Sequence, residues 1–469
     1  MSTGGVESRS GGERGIDLLL VEPLRNLSFW HIWALGVGAV IGDGIFLLLG
    51  QGIATAGPGA VPAYVVAGLI QLFIMVGLAE LAVGMPSAGA MSVWVERFMG
   101  RWWGLLAGFA FALGWVIAGG STGLAIGRFT CYFFPAIPPE IGTIVFAIIF
   151  VSIFCVLNML GTLISARTQL YMVLGLVAIM VVFAIIGVFQ INPDNLSPML
   201  PYGWEGFMLA IPMGTYAYIG AVSLATAGSE AKRPADLPKA LVWASITFLA
   251  VYTVDQLVVA GVIPWKEVTM DVSPFTLAGE KAFGPIGGVI LNIAAWLAAA
   301  TCILMGTVYS ASRIFWSQAR EGLLPEFFGY LHPKTRTPIW GIAVIWVASV
   351  VLILLGTIQE ASALYVELSM QLVLAWLLSW GLALIAAILY RQRAAEEVAK
   401  LEWKQPLFPL LPILGLIGIL LVTYWTFSGS PMSIVWAAVW IVALFLVYRF
   451  WAIPRLPAFR AKHGLAAEK

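Results

Sequence analysis

Charge is what this sequence has least of. Only 10% of its 469 residues are Asp, Glu, Lys or Arg, where soluble domains carry about 25%. With 61% of residues hydrophobic, such a chain has too little polar surface to live in water, which excludes a soluble globular protein. The formal net charge of +1 lacks the basic excess that a nucleic-acid partner demands. Cysteine is scarce too. Cys131, Cys155 and Cys302 each lie in an apolar segment, so no disulfide framework is expected. Together with three histidines, His31, His332 and His463, they match no metal-ligand spacing, and neither a metal nor a cofactor is expected. No signal peptide precedes the first apolar run, and residues 1–24 read as a short disordered cytoplasmic tail.

What the sequence has in abundance is long apolar runs. A membrane-spanning helix needs about 20 apolar residues. On that rule twelve helices are expected, over 29–55, 58–84, 102–134, 139–159, 165–190, 205–228, 239–263, 285–320, 337–357, 360–391, 405–428 and 430–453. If the N-terminus is inside, every Lys and Arg except Arg128, Lys266 and Lys281 falls on the inner side. The positive-inside rule then puts both termini in the cytoplasm, with residues 454–469 as a C-terminal tail. The fold class is an all-α polytopic protein of the plasma membrane, or the inner membrane of a bacterium. The lipid bilayer is its surroundings and no soluble partner is apparent. A homodimer is left open.

The most telling segment interrupts the first apolar run: Gly36-Val37-Gly38-Ala39-Val40-Ile41-Gly42-Asp43-Gly44-Ile45-Phe46. A carboxylate at mid-membrane depth costs several kcal/mol unless it faces a cavity or a partner. The glycines around Asp43 free the backbone to unwind. Unwinding would expose carbonyls at the end of one half-helix and N–H groups at the start of the next, which favour cations and anions respectively. A charged, broken helix at the bilayer centre is how secondary transporters build a substrate site. A plain glycine packing face is the competing reading. A second run with glycines and polar atoms near its centre starts the second half: Gly214-Thr215-Tyr216-Ala217-Tyr218-Ile219-Gly220-Ala221-Val222-Ser223. The two interrupted helices, first and sixth, are five helices apart, which points to an inverted five-plus-five repeat of the LeuT type over about 25–190 and 205–391. The ten-helix core is then 25–398, with helices eleven and twelve in 399–453.

Together with Glu80 and Pro86-Ser87-Ala88-Gly89, the segment from Glu230 to Pro234, and Ser312-Arg313 through Pro325, these motifs resemble the amino acid–polyamine–organocation superfamily of transporters. The resemblance runs from about Leu24 to Pro338. It implies first and sixth helices unwound around the substrate. Carried over by position, it implies a carboxylate cradle at Gly42, Asp43 and Gly44. Carbonyls for the substrate amine fall near Ala39 and Ile41 on the first helix and near Tyr216 and Ile219 on the sixth. Gly220 lies in that second stretch, and Tyr218 is held equally well by ordinary helix packing. Tyr216 falls where an aromatic lid closes the site.

Two departures from the family pattern matter. The family usually has Ser, Ala or Thr between the two glycines, where this chain has Asp43. A substrate carboxylate that close in a low-dielectric site would be repelled by several kcal/mol. Three readings stay open: a decarboxylated cationic substrate such as an amine, an amino acid with Asp43 as a proton-coupling carboxyl, or an Asp43 turned toward a Ser or Tyr and away from the site. Second, proton-coupled relatives often carry a lysine about ten residues after the segment matched by Ser165-Ala166-Arg167-Thr168-Gln169. Here that stretch reads Leu174-Gly175-Leu176.

Asp255 and Glu367 are further carboxylates within apolar runs, at expected depths of ~12 Å and ~9 Å at 1.5 Å per residue. With Asp43 they form an acidic funnel, or else one of them pairs with Arg128 at similar depth. Glu80 reads as a structural hydrogen-bonding group, and Thr301, Cys302, Met305 and Thr307 are candidates to line the site. The expected activity is secondary transport or exchange of a small amine or amino acid by alternating access. A transporter-like sensor is the alternative class. No nucleophile–base pair or ring of pore charges supports an enzyme or a channel.

Overall fold

The computed structural model describes residues 23–463 except 234 and 269–272. The expected tails 1–22 and 464–469, and Pro234 of the Glu230–Pro234 motif, lie outside the described residues. Among the described residues the chain is helical, and its one β feature is an isolated bridge between Leu27 and Ala231. The helices are α1 (Phe29–Val40), α2 (Leu49–Ala56), α3 (Ala60–Gly84), α4 (Met91–Met99), α5 (Arg101–Cys131), α6 (Pro139–Met159), α7 (Thr162–Gly187), α8 (Gly203–Tyr218), α9 (Asp236–Val262), α10 (Pro274–Thr301), α11 (Ala311–Arg320), α12 (Ile339–Leu354), α13 (Ala361–Arg393), α14 (Ala395–Ala399), α15 (Leu410–Gly429), α16 (Met432–Val447) and α17 (Ile453–His463).

Among the described residues eleven continuous helical stretches are long and apolar enough to cross a membrane. The first runs from Phe29 to Gly84, 56 residues, and is divided by a Gly57-Pro58-Gly59 turn with Gly57 at φ 64°. At 1.5 Å per residue its length is far beyond one bilayer crossing of about 30 Å. The stretch Pro274–Arg320 is bent at Gly284, φ 72°, just before Pro285. The eighth run was expected to begin at 285. The helical turns before that bend carry Glu280 and Lys281, which removed them from the apolar pattern.

Burial separates core from periphery. In α8 and its continuation 81% of the apolar window is buried, against 11% in the final stretch Met432–His463. Helices α5, α8, α10 and α13 therefore form the centre, and α16 faces outward with its apolar side chains, as lipid-exposed helices do. Two short elements were not foreseen. The nine-residue α4 is too short for a span. The segment expected as tail from 454 is helical through His463, with Leu456 and Phe459 packed on Gly322 and Lys462 paired with Glu326 at 2.5 Å.

Candidate functional site

The apolar run of α1 stops at Val40, because Ile41 leaves the helical region with ψ 79°. Gly42 N donates to Val40 O at 2.7 Å, and the chain re-forms as a wide π turn from Gly44 to Leu48. Such turns leave the ordinary hydrogen-bond ladder and concentrate at functional sites. Side chains from elsewhere take up the freed carbonyls: Tyr252 Oη donates to Val40 O at 2.9 Å and Ser273 Oγ to Phe46 O at 2.6 Å. The break expected from Gly42 and Gly44 is thus present, within two residues.

The sixth apolar run changes character less abruptly. It is α-helical to Tyr218 and tightens into a 3-10 helix from Ile219 to Ala227. The two segments meet backbone to backbone. A Cβ on Gly220 would lie 1.7 Å from Ala39 O, and one on Gly44 would lie 2.5 Å from the Tyr216 ring. Glycine at these two positions is what permits the approach.

Asp43 is buried beside this junction. Thr122 Oγ1 donates to its Oδ1 at 2.8 Å, and Tyr216 Oη donates to its Oδ2 at 2.9 Å. Ser121 Oγ stands 3.4 Å from the same tyrosine oxygen. Tyr365 adjoins the carboxyl, its ring 6.4 Å from that of Tyr216, and its hydroxyl has no well-formed hydrogen bond among the described residues. No Lys, Arg or His among the described residues acts on Asp43. The carboxyl borders a small void of about 10 Å³, room for one water at most. The void is lined by Ala39, Gly42, Asp43, Gly44, Tyr216 and Cys302 of the expected set, and by Trp115 and Trp376. The two indoles lie 4.6 Å apart between centroids.

The remaining expected residues lie off this void. Ile41 is buried beside it, Gly220 meets α1 through its backbone, and the side chain of Ile219 lies outside what the structure describes. Tyr218 turns away to pack on Tyr252, 5.1 Å between rings, and on Gly68 of α3. The carboxylates do not converge. Arg128 borders a separate cavity of about 480 Å³ with Glu140 and Glu360. Glu367 accepts from Gln359 Nε2 at 3.3 Å and borders another, of about 610 Å³, between α2, α8, α13 and α15. Asp255 is fully buried in α9, and neither of its oxygens has a hydrogen-bond partner among the described residues. Glu80 is bound by Arg391 through Nε at 2.8 Å and Nη2 at 2.6 Å, and accepts from Gln405 N, which ties α3 to the end of α13. Trp115, Trp376, Thr122 and Tyr365 had no signal of their own in a sequence with 20 Trp and 13 Tyr.

Tyr216 meets the Tyr365 ring edge to face, and Met213 and Glu367, one turn or less from them in sequence, border the cavity between α2, α8, α13 and α15. Elsewhere, Leu27 N donates to Glu230 O at 3.0 Å and Lys232 N to Leu27 O at 2.9 Å. Beneath them the buried Arg313 reaches Glu230 Oε1 at 2.9 Å and Thr162 Oγ1 at 2.9 Å, with its guanidinium 3.9 Å above the Tyr309 ring. A buried carboxyl with hydroxyl donors, aromatic walls and no resident cation is suited to a small organic cation.

Residues 27–449 match the sequence pattern of a family described as "Amino acid permease". An uncharacterized amino acid permease of Bacillus subtilis (strain 168), YtnA, is 28% identical over 90% of this chain and 94% of its own. The branched-chain amino acid permease BcaP of the same organism is 30% identical over 67% of this chain and 71% of its own. The methylthioribose transporter of that organism is 29% identical over the same shares.

Proposed function

We propose, for a chain that belongs to the amino acid permease family and so to the amino acid–polyamine–organocation superfamily of integral membrane transporters, that its substrate is a small cationic amine bound at Asp43. The observation that carries this reading is the hydrogen-bonding of that carboxyl. Thr122 and Tyr216 hold it with donors only, no cationic side chain acts on it, and Trp115, Trp376 and Tyr216 line the same void. A carboxylate so placed recognises an ammonium group, and indole faces add attraction for it. The names of the relatives leave room for this. Two refer to amino acids and one to methylthioribose, so the family is not confined to one substrate chemistry.

Transport is by alternating access across twelve crossings with both termini in the cytoplasm. The division of the first helical stretch at Gly57 supports counting it as two crossings. The core is 25–398, built from repeats over about 25–190 and 205–391, and helices eleven and twelve flank it. The break after Val40 and the change from α to 3-10 helix after Tyr218 support that symmetry, although the sixth stretch is not unwound as the resemblance implies, and the low burial of the last stretch supports its place outside the core. Tyr216 and Tyr365 form the outer closure. Leu27, Glu230 and Arg313 form the inner one. In a second reading, favoured by the names of YtnA and BcaP, the substrate is an amino acid and Asp43 is a coupling carboxyl, neutral when substrate binds.

Thermal shift of the detergent-purified protein separates the two. The ligands are pairs of an amino acid and its decarboxylated amine: leucine with isoamylamine, phenylalanine with phenethylamine. A ligand at a hundred times its Kd stabilises by about 2.7 kcal/mol. Stabilisation by amines alone supports the proposal. Stabilisation by amino acids alone overturns it in favour of the second reading.

A further inference from the structure

Asp255 is the buried ionisable group that the Asp43 site leaves unused. It lies in the middle of α9 with no exposure, and both its oxygens lack partners among the described residues. Its neighbour Gln256 is equally buried, with no well-formed hydrogen bond at Oε1 or Nε2 among the described residues, and adjoins the Tyr218 hydroxyl of α8. Folded proteins pair more than about nine in ten of their buried polar groups. A carboxyl and an amide without well-formed partners at adjacent positions of one buried helix therefore point to a second conformation in which water reaches them.

Nothing nearby supports an ionised Asp255. The elements packed against α9 carry His31 and Asp43 near α1, Tyr64 and Glu80 on α3, Arg167 and Tyr171 on α7, Asp194 on the 3-10 turn Pro193–Leu196, Tyr218 and Glu230 at the ends of the 3-10 segment, and Glu280 and Lys281 on α10. None hydrogen-bonds to it. Glu80, Glu230 and Lys281 are engaged with Arg391, Arg313 and Glu267, and Glu280 accepts from Tyr132. An unpaired carboxylate in such surroundings sheds its charge rather than remain ionised. The helix that carries it is also tied to the substrate site, because Tyr252, one turn away, donates to Val40 O at the break.

We propose that Asp255 is a proton-binding site linked to gating: it holds a proton in this closed conformation and releases that proton to water when the bundle opens. The proposal rests on the alternating-access reading and is independent of which substrate is moved. In water an aspartic acid ionises near pH 3.9. With one proton bound when closed and none when open, each rise of one pH unit shifts the balance tenfold toward the open form.

Two measurements test this on the full-length protein without any substrate. Infrared spectra of the purified parent and Asp255→Asn are compared for the carboxylic-acid C=O stretch. The proposal expects a band at neutral pH that Asp255→Asn removes, and a spectrum unchanged by the substitution overturns it. The second uses Cys302, buried at the void beside Gly42. With Cys131 and Cys155 changed to Ser, the rate at which N-ethylmaleimide labels Cys302 reports opening. Between pH 6 and 8 the parent should gain up to tenfold per pH unit beyond what Asp255→Asn shows, since both share the thiol's own titration and Asp43. Superposable pH profiles overturn the proposal. Asparagine matches aspartic acid in shape, and an unaltered melting temperature confirms that the variant folds.

Discussion

Tyr216 and Asp43 are joined by a hydrogen bond of 2.9 Å between segments 173 positions apart, Asp43 at the break of the first helical stretch and Tyr216 just before the sixth tightens into a 3-10 helix. On the proposed reading the bond gives the lid and the charge one fate. An ammonium that takes the carboxylate competes for the oxygen on which the tyrosine is seated, so binding and lid position are linked. Replacing Asp43 by Ser removes the charge and keeps a small hydroxyl. Amine binding should weaken by about 3 kcal/mol, on the order of a hundredfold. Amino acid binding should appear or improve, because the repulsion of a substrate carboxylate is gone. Isothermal titration with the leucine and phenylalanine pairs reads both effects, and unchanged selectivity would remove Asp43 from the site.

Trp115 tests the aromatic wall. Its six-membered ring packs on Gly306, where an added Cβ would lie 2.2 Å away. Trp115→Leu should weaken amine binding by about 1–2 kcal/mol, roughly tenfold, while Trp115→Phe, which keeps a π face, should lose less. Equal losses in the two variants would mean that shape, and not cation–π attraction, is the contribution of the ring.

Glu230 and Arg313 form a buried pair with nowhere else to place either charge. Glu230→Gln or Arg313→Met alone should destabilise the closed protein by about 3–5 kcal/mol, and the double variant by less than the sum. Melting temperatures of the three variants make a complete cycle. Strict additivity would show that the pair is not coupled.

Gly220→Ala sets a methyl group 1.7 Å from Ala39 O. Backbone on both sides prevents an easy retreat, so this small change should abolish transport and lower the melting temperature. Gly356→Ala, with no neighbour nearer than 3.5 Å to the added Cβ, is the control and should change little.

Some of this was legible in the residues and some was not. The break at Gly42–Gly44 announced itself because a carboxylate and two glycines oppose the apolar run in which they sit. The helix at 139–159 was readable to the residue, since Pro138 and Pro139 bound it sharply. The placement of Tyr218 was not. Helices buried on every side have no amphipathic face, and nothing in the local pattern says which of Tyr216 and Tyr218 turns to the site. The same holds for Trp115 and Trp376, whose meeting depends on how α5 and α13 are rotated against each other. The helix from Ile453 to His463 was hidden for another reason. It carries Arg455, Arg460 and Lys462, and a hydropathy window sees charge where the chain continues as a helix.

The two enclosed indoles give the molecule something further. Trp115 and Trp376 stand with centroids 4.6 Å apart and planes inclined at 60°. Chromophores that close and that rigidly inclined couple electronically, and fixed aromatic packing gives near-ultraviolet circular dichroism. Both rings line the void beside Asp43, so on the proposed reading a ligand held there lies against this pair and should change its near-ultraviolet signal, readable in detergent or vesicles with no label attached.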